Sequence, residues 1–226
     1  MTLLRLVLIG GGGHASDVLQ AVEAINAARP TYEVLGILDD NEVEPRRFAG
    51  RGVVHIGPVD DVAAVDAAYV LCLGWPWTRH ALARRIRGRG QAAPPIVHPS
   101  ADVGAGVELG PGSVVLDHTH LSPCVRFGSH ALVSYMASVG HDTVFGDHAS
   151  VMPSAAVSGG VVGGHRVLVG TGAVVRQGLR LGDDVRIGAG AAVVDDVDAG
   201  LTVVGVPARP SGRTRPRDGL EPFPAG

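Results

Sequence analysis

The first ninety-five residues alternate short apolar runs with helical patterns. Residues 4–9 form an almost wholly apolar run that predicts a strand, and the four glycines after it predict a tight turn. Apolar residues then recur at helical spacing as far as Pro30, which predicts a helix. Further strands are predicted at residues 34–38, 53–56 and 69–73, and a second helix at 78–87. This alternation is typical of parallel βαβ units.

A different period begins after the proline pair Pro94 and Pro95. From Val97 to Val193 every sixth residue is aliphatic or phenylalanine, except Gly163. The residue four places later is small or β-branched in nearly every hexad, and glycine recurs one place after the apolar position. Neither a helix nor a simple strand keeps a register of six. A three-sided coil does, with the apolar residue pointing inward and the glycine accommodating the corner backbone.

Composition and charge exclude several classes of protein. The 226 residues are 46% hydrophobic with 33 glycines, which is inconsistent with a helical bundle and with disorder. A net charge of -3 gives no reason to expect a nucleic acid partner. Five arginines clustered in the second predicted helix and just after it are interpreted as a solvated face; they are Arg79, Arg84, Arg85, Arg87 and Arg89.

The two cysteines and the apolar segments bear on the compartment. Cys72 and Cys124 are far apart in unlike segments, so no disulfide framework is predicted. No apolar run approaches the length of a membrane span or follows the pattern of a secretory signal. We therefore expect a cytoplasmic protein with no membrane partner.

The hexad repeat resembles the hexapeptide-repeat acyltransferases. Three further segments are similar to the family of sialic-acid O-acetyltransferases and UDP-4-amino-sugar N-acetyltransferases: Gly-Gly-Gly-Gly-His at 10–14, Leu-Asp-Asp-Asn at 38–41 and Ile-Val-His-Pro-Ser-Ala at 96–101. So is Val-Gly-Val-Pro-Ala-Arg at 204–209. The resemblance implies a Rossmann-like α/β domain for the acceptor over residues 1–95, a left-handed parallel β-helix over 96–210 and a homotrimer. Residues 211–226 are polar and proline-rich, and are predicted to form a flexible tail.

His141 is the predicted catalytic base. Transfer of an acetyl group to an amine or hydroxyl requires removal of a proton, and histidine commonly does this near neutral pH. His141 stands at an outward place of its hexad, and the carboxylate of Asp142 can orient the imidazole and stabilise its cation. The stretch from His141 to Asp147 resembles the catalytic histidine–acid motif of the family. From spacing alone, both residues could equally be solvated corner residues. Since neither cysteine lies near His141 in the sequence, direct transfer without an acyl-enzyme is expected.

The resemblance implies acetyl-CoA as the co-substrate, bound between adjacent coils. Thr171 and Ala189 fall where the main chain would meet the pantetheine arm. Ser150 stands where the family usually has a second histidine that helps to hold acetyl-CoA or the acceptor, and His148 lies two places before it. Ser150 is therefore assigned to cofactor binding through a weaker hydrogen bond; the alternatives are that His148 substitutes from a shifted corner or that neither residue takes part. Arg209 could reach a CoA phosphate, or could simply be solvated.

A nucleotide-sugar pocket is also implied by the resemblance. Its residues would be Gly12, Gly13, His14, Asp39, Asp40 and Gly74. Asp39 and Asp40 could instead only end a strand. The glycine run lacks the third glycine of a dinucleotide fingerprint, so we do not expect NAD. The Trp-Pro-Trp segment at 75–77 is interpreted as able to reshape the acceptor site.

Other chemistry stays open at this stage. His118, His120, His130 and His165 are interpreted as mostly solvated. Zinc hydration chemistry on the same coil, as in γ-class carbonic anhydrases, needs a His-x4-His spacing that is absent, so no metal site is predicted. The expected activity is transfer of acetyl to the amino group of a nucleotide-linked amino sugar. The alternatives are O-acetylation of a small hydroxyl acceptor and a non-catalytic scaffold that binds sugar nucleotides.

Overall fold

The computed structural model describes residues 2–213, and its N-terminal unit is a parallel α/β sheet. The elements are β1 (Leu4–Ile9), α1 (Gly13–Ala28), β2 (Tyr32–Leu38), β3 (His55–Gly57), β4 (Ala68–Leu71), α2 (Pro76–Arg85) and β5 (Gln91–Ala92), with short 3-10 helices at Pro45–Arg47 and Val59–Ala63. The strand order is β3-β2-β1-β4-β5, and every pair is parallel. The predicted alternation is confirmed, although α2 begins at Pro76, two residues before the predicted start. Proline suits the first turn of a helix because its fixed φ is already helical.

The central strand is buried on both faces. Leu6 and Leu8 pack in one apolar cluster with α1, whereas Val7 and Ile9 pack in a second cluster with residues of α2. All four side chains are completely buried. Burial of this kind explains the continuous apolar run in the sequence, since helices cover both faces of a parallel sheet.

From Ile96 the chain winds into a left-handed parallel β-helix with three faces. Face 1 consists of Asp102–Val103, His120–Leu121, Ser138–Val139, Ala156–Val157, Val174–Val175 and Ala192–Val193. Face 2 consists of Glu108–Leu109, Arg126–Phe127, Val144–Phe145, Val162–Gly163 and Arg180–Leu181. Face 3 consists of Ile96–Val97, Val114–Val115, Leu132–Val133, Ser150–Val151, Leu168–Val169, Arg186–Ile187, Leu201–Val204 and Arg209–Arg213. We call the turn from face 1 to face 2 corner 1, that from face 2 to face 3 corner 2, and that from face 3 to face 1 corner 3.

The six-residue register holds in the structure. The apolar positions from Val115 to Val193 are all buried and form one continuous core. Val103 is 41% exposed because it lies on the first strand of its face, where no earlier coil covers it. The sequence therefore placed the core correctly and overestimated burial only at the open end.

The role predicted for the recurrent glycines needs correction. The left-handed backbone conformation occurs three places after the apolar residue, as at Asp142 with φ 58°, and not one place after it. The glycine one place after is required because the next coil passes too close for a side chain. A β-carbon added at Gly140 would lie 2.4 Å from the backbone nitrogen of Gly159.

Gly163, the exception in the repeat, faces an aromatic ring. A β-carbon added there would lie 2.2 Å from Cδ1 of Phe145. The Phe145 ring stacks on Phe127 of the preceding coil, with centroids 5.3 Å apart. The two stacked rings thus occupy the space that an inward aliphatic side chain at position 163 would need.

The last coil ends in a hairpin. Arg209–Arg213 pairs antiparallel with Leu201–Val204. The flexible tail predicted from Ser211 onwards therefore does not begin there, because Ser211 lies within a strand. This strand forms hydrogen bonds with the last strand of face 3, whose edge would otherwise stay open. The rest of that predicted tail, 214–226, lies outside the described residues. Within residues 2–213, neither helix has the length and apolar character needed to cross a bilayer.

Candidate functional site

A cavity of about 410 Å³ opens at the carboxyl ends of β1, β2 and β4. Ligands commonly bind at this edge of an open parallel sheet. The structure brings together there all six residues that the resemblance implied for a nucleotide sugar, namely Gly12, Gly13, His14, Asp39, Asp40 and Gly74. Residues from separate βα turns therefore share one cavity.

Two carboxylates fix the rim of this cavity. Asp39 accepts a hydrogen bond from the backbone nitrogen of Gly11 at 2.7 Å and another from that of Asn41 at 2.8 Å. Asp40 forms an ion pair with Arg85, whose hydrogen bond lowers the pKa of the Asp40 carboxyl. Asp39 and Asp40 thus hold the loop after β2 in place. Each carboxylate retains lone pairs that can accept a further hydrogen bond.

The Trp-Pro-Trp segment joins the cavity to the β-helix. Trp75 lines the cavity, and the guanidinium of Arg186 on face 3 stacks over its ring, 4.9 Å from the ring centroid. Trp77 is buried, and its indole nitrogen donates to Asp184 Oδ1 at 3.0 Å. The coil therefore supports one wall of the cavity through both tryptophans.

Arg79 is buried at the junction of sheet and coil, so its interpretation as a solvated residue is wrong. Its side chain is 2% exposed, and burial lowers the pKa of its guanidinium to about 9. It donates to backbone carbonyls on both sides of the junction and to one hydroxyl; the acceptors are the oxygens of Leu73, Gly74, His130, His148 and Ala149 and the Oγ of Ser150. These bonds fasten α2 to face 3 and corner 2.

Ser150 belongs to the same junction and does not offer a surface for CoA. Its side chain is completely buried. Its hydroxyl donates to the Gly74 carbonyl oxygen at 2.9 Å and accepts from Arg79 at 2.8 Å. Arg79 and the turn that contains Gly74 cover Ser150 in this chain, so its burial does not support the prediction that Ser150 contacts the cofactor.

Three histidine rings cluster beside Arg79, with His130 stacked on His148 and His80 meeting His148 edge-on. His130 and His148 are 8% and 7% exposed, so the interpretation of His130 as solvated is also wrong. Their ring centroids are 5.3 Å apart, and that of His80 lies 5.0 Å from His148. Burial, followed by the charge of Arg79, lowers the pKa of His130 to about 4 and that of His148 to about 2. Both rings are therefore neutral at physiological pH.

His141 lies at corner 1 with its side chain open to solvent. Its Nδ1 is 2.8 Å from the Asp142 carboxylate. The ring rests against Gly159 of the next coil, where an added β-carbon would lie 2.8 Å from Nε2. Within the described residues, Nε2 has no hydrogen-bond partner. This geometry leaves Nε2 free to accept a proton while Asp142 holds Nδ1.

One chain alone does not unite His141 with the cavity. The N-terminal unit packs on face 3 and corner 2, whereas His141 projects from corner 1, which is the corner opposite face 3. Thr171 and Ala189 stack on adjacent coils at corner 3, and both are exposed. Arg209 is exposed as well and lies 3.5 Å from Asp195. The predicted base, the acceptor pocket and the cofactor residues Thr171 and Ala189 thus lie on three different sides of the chain.

Cys124 shares the corner of His141, one coil away. Residues 124 and 142 occupy equivalent left-handed positions, and the Asp142 nitrogen donates to the carbonyl oxygen of Pro123 at 3.2 Å. The thiol of Cys124 is exposed, whereas Cys72 is buried. The coil therefore places Cys124 and His141 on the same corner, although they are not neighbours in the sequence. Within residues 2–213, no group of three or more histidine, cysteine or acidic side chains is arranged so that it could hold a metal ion.

The buried junction was missed by sequence reasoning, although one signal pointed to it. Arg79 lies three residues before Leu82 and seven before Ile86, and all three are buried on one helical face. Helical spacing could therefore have predicted that Arg79 is buried, whereas Arg84 and Arg87 are exposed. The contacts of Trp77 and Ser150 have no comparable signal, because each depends on how two units dock.

Comparison with known proteins agrees with this architecture. The family model described as PglD N-terminal domain matches residues 5–86. Among curated proteins, none matches the chain. A perosamine N-acetyltransferase from Caulobacter crescentus, crystallised as a histidine variant with CoA and GDP-perosamine, is 30% identical over 93% of this chain and 98% of its own, with a TM-score of 0.83.

Two further structures show the same arrangement. The acetyltransferase domain of PglB from Neisseria gonorrhoeae, crystallised with acetyl coenzyme A, is 29% identical over 92% of this chain and 100% of its own, with a TM-score of 0.83. WeeI from Acinetobacter baumannii is 23% identical over 92% of this chain and 100% of its own, with a TM-score of 0.78, and supports the fold alone.

Proposed function

This chain belongs to the hexapeptide-repeat sugar N-acetyltransferases, and from that premise we propose that it transfers an acetyl group from acetyl-CoA to the amino group of a nucleotide-linked amino sugar. Two features support the proposal. One is the cavity at the strand ends, which gathers Gly12, Gly13 and His14 with residues of two other turns. The other is the His141–Asp142 pair, which is open to solvent.

The pair can act as a base without further rearrangement. Asp142 accepts a hydrogen bond from Nδ1 of His141, so the lone pair on Nε2 is available. The amine nitrogen attacks the thioester carbonyl carbon, the C–N bond forms, and Nε2 takes the amine proton. The C–S bond then breaks, and CoA leaves as the thiolate, which takes up the proton that Nε2 of His141 releases. Asp142 stabilises the imidazolium that forms in between.

The separation of His141 from the cavity indicates shared active sites. Because the N-terminal unit docks on face 3 and corner 2, it carries its cavity on a different side of the coil from corner 1. A second copy of the chain would have to bring its own cavity to this corner. We therefore propose a homotrimer in which the base of one subunit acts on the acceptor held by its neighbour.

The cofactor would lie along the exposed coils. Thr171 and Ala189 offer main-chain groups at corner 3, where the amide of Gly190 already donates to the Thr171 carbonyl oxygen at 2.9 Å. Arg209 lies near the end of the same coils and can meet a phosphate if it exchanges Asp195 for that anion. These residues would hold acetyl-CoA between the third corner of one subunit and the first corner of the next.

The acceptor class can be tested by direct assay. The purified protein is offered acetyl-CoA with UDP-, dTDP- and GDP-linked amino sugars, and free thiol release is followed. Each acceptor is paired with the matched sugar that carries a hydroxyl in place of the amine. Turnover with an amine only, giving a product stable to mild base, is expected. Turnover with the hydroxyl sugars would favour O-acetylation, and tight nucleotide-sugar binding without thiol release would favour a scaffold.

A further inference from the structure

We propose that a second cavity, at the junction of α2 with corner 2, binds the phosphate group of a small phosphorylated molecule. The cavity has a volume of about 280 Å³ and lies apart from the cavity at the strand ends, since the two share no lining residue. Three arginines and one carboxylate line it, namely Arg84, Arg87, Arg166 and Asp147. Its walls are therefore predominantly basic.

A buried positive charge lies beneath this cavity. Arg79 donates to the carbonyl oxygens of His130 and His148, both of which line the cavity. Within residues 2–213, no carboxylate forms an ion pair with Arg79. Buried charges in proteins are usually paired, because an isolated one is costly. An anion bound above it would supply the missing opposite charge.

The other charges around the cavity leave an excess of positive charge. Arg166 is already matched by Asp184, at 2.7 Å. Asp147 accepts from the Ser129 backbone nitrogen at 2.8 Å. Arg84 and Arg87 are exposed, and neither has an ion-pair partner in the described part of the chain. Two unmatched guanidinium groups at the rim and Arg79 below outweigh the single carboxylate.

The histidines supply neutral donors. The Nδ1 atoms of His80, His130 and His148 are buried and have no hydrogen-bond partner among residues 2–213, so protonation there would leave an unsatisfied N–H. The tautomer with the proton on Nε2 is therefore favoured. In His165 the same tautomer is fixed, because Nδ1 accepts a hydrogen bond from the Asp147 backbone nitrogen at 3.0 Å. Each ring can thus donate from Nε2 to an oxyanion.

A phosphate group fits these features better than a carboxylate or a metal ion. Guanidinium groups bind phosphate oxygens in bidentate fashion, and a dianion matches the excess charge. A cation would be repelled by the arginines. The volume suits a small molecule, and the source of the phosphate is either a free phosphorylated compound or the 3′-phosphate of CoA from a neighbouring copy.

Titration with inorganic phosphate, followed by calorimetry and by NMR of the histidine rings, tests the proposal. Saturable binding is expected in the full-length protein, with the His80 and His165 ring signals shifting. Binding should weaken about tenfold or more in Arg84→Gln/Arg87→Gln, since charge-assisted hydrogen bonds are lost. The matched control is Arg46→Gln/Arg47→Gln, which removes the same charge from exposed residues outside the cavity.

Each result of the titration either supports or contradicts the phosphate site. Retained affinity in the control and lost affinity in Arg84→Gln/Arg87→Gln would support the site, with circular dichroism used to show that both are folded. If either double variant is unfolded, Arg87→Gln and Arg46→Gln take their places. Displacement of phosphate by CoA but not by dephospho-CoA would identify the 3′-phosphate as the source, and displacement by neither would identify a free compound. No saturable binding, or equal affinity in both variants, would overturn the proposal.

Discussion

The ring of Phe145 occupies the space that a side chain at Gly163 would need, with Cδ1 only 2.2 Å from the position of an added β-carbon. Restoring a side chain to the one irregular hexad should therefore destabilise the coil. Gly163→Ala is expected to lower the free energy of unfolding by about 1–3 kcal/mol, as overpacking does. Chemical denaturation measures this. Gly163→Ala should lower the free energy of unfolding by less in a protein that also carries Phe145→Leu. If the changes in unfolding free energy caused by the two substitutions are strictly additive, the proposed contact is contradicted.

Arg79 should be indispensable to the docking of the sheet on the coil. Arg79→Lys keeps the charge but cannot reach acceptors both in the turn before α2 and on the coil. A loss of about 3 kcal/mol in unfolding free energy is expected, because buried carbonyl groups lose their donors. Arg46→Lys, at an exposed side chain, is the control. Equal stability of the two variants in urea would show that the junction does not depend on the guanidinium.

Stability should depend on pH through the stacked histidines. The pKa of His130 is about 4 and that of His148 about 2 in the folded chain, against an ordinary value of 6.5. Below pH 6.5 the unfolded chain therefore binds more protons than the folded one, so stability falls as pH falls. The charge of Arg79 opposes protonation of both rings, His80 and Arg166 oppose that of His148, and Asp147 favours that of His130.

The expected loss is about 4 kcal/mol between pH 7 and pH 5 for the two groups together. Urea denaturation at several pH values measures it. His148→Phe keeps a buried ring without a titratable group and should roughly halve the dependence on pH. A variant with the full wild-type dependence would show that other groups are responsible.

The repeat made the β-helix predictable, because a six-residue register fixes both the inward residues and the sequence of faces. The pocket was predictable for a different reason. Gly12, Asp39 and Gly74 each follow a parallel strand, and the carboxyl ends of such strands meet at one edge.

The junction was not predictable in the same way. Burial of Ser150 depends on the side chain of Arg79 and the carbonyl of Gly74, which are more than seventy residues away in sequence. Spacing within one segment carries no information on such contacts. The opposite placement of His141 and the cavity is likewise a property of how the N-terminal unit docks on face 3, and the sequence alone does not specify it.

Shared active sites make a quantitative prediction. His141→Gln removes the base, and Gly12→Trp fills the cavity, where an added β-carbon at Gly12 meets no other atom within 4 Å. Each variant alone should be inactive. Mixed assemblies made by co-expression in equal amounts should recover about a quarter of wild-type activity, since that fraction of sites combines an intact base with an intact cavity from a neighbour. No recovery would place both groups in one subunit.

The exposed thiol at corner 1 gives a test of the direct mechanism. Cys124 lies on the same corner as His141, so an acyl-enzyme is conceivable on geometric grounds. Cys124→Ser should keep kcat within about threefold, because attack by the amine needs no thiol. Steady-state kinetics measure this, and a burst of CoA release without acceptor in the wild type, absent in the variant, would point to a covalent intermediate.

The most direct measurement compares two histidine–aspartate pairs with the same separation between Nδ1 and the carboxylate. His120 Nδ1 lies 2.8 Å from Asp102 on face 1, the same separation as between His141 and Asp142 at corner 1, and both histidines are exposed. With acetyl-CoA and an accepted amino sugar, kcat/KM is measured for His141→Gln and His120→Gln. The proposed mechanism predicts a fall of about 10²–10⁴-fold for His141→Gln and nearly wild-type turnover for His120→Gln. Wild-type turnover by His141→Gln would contradict it.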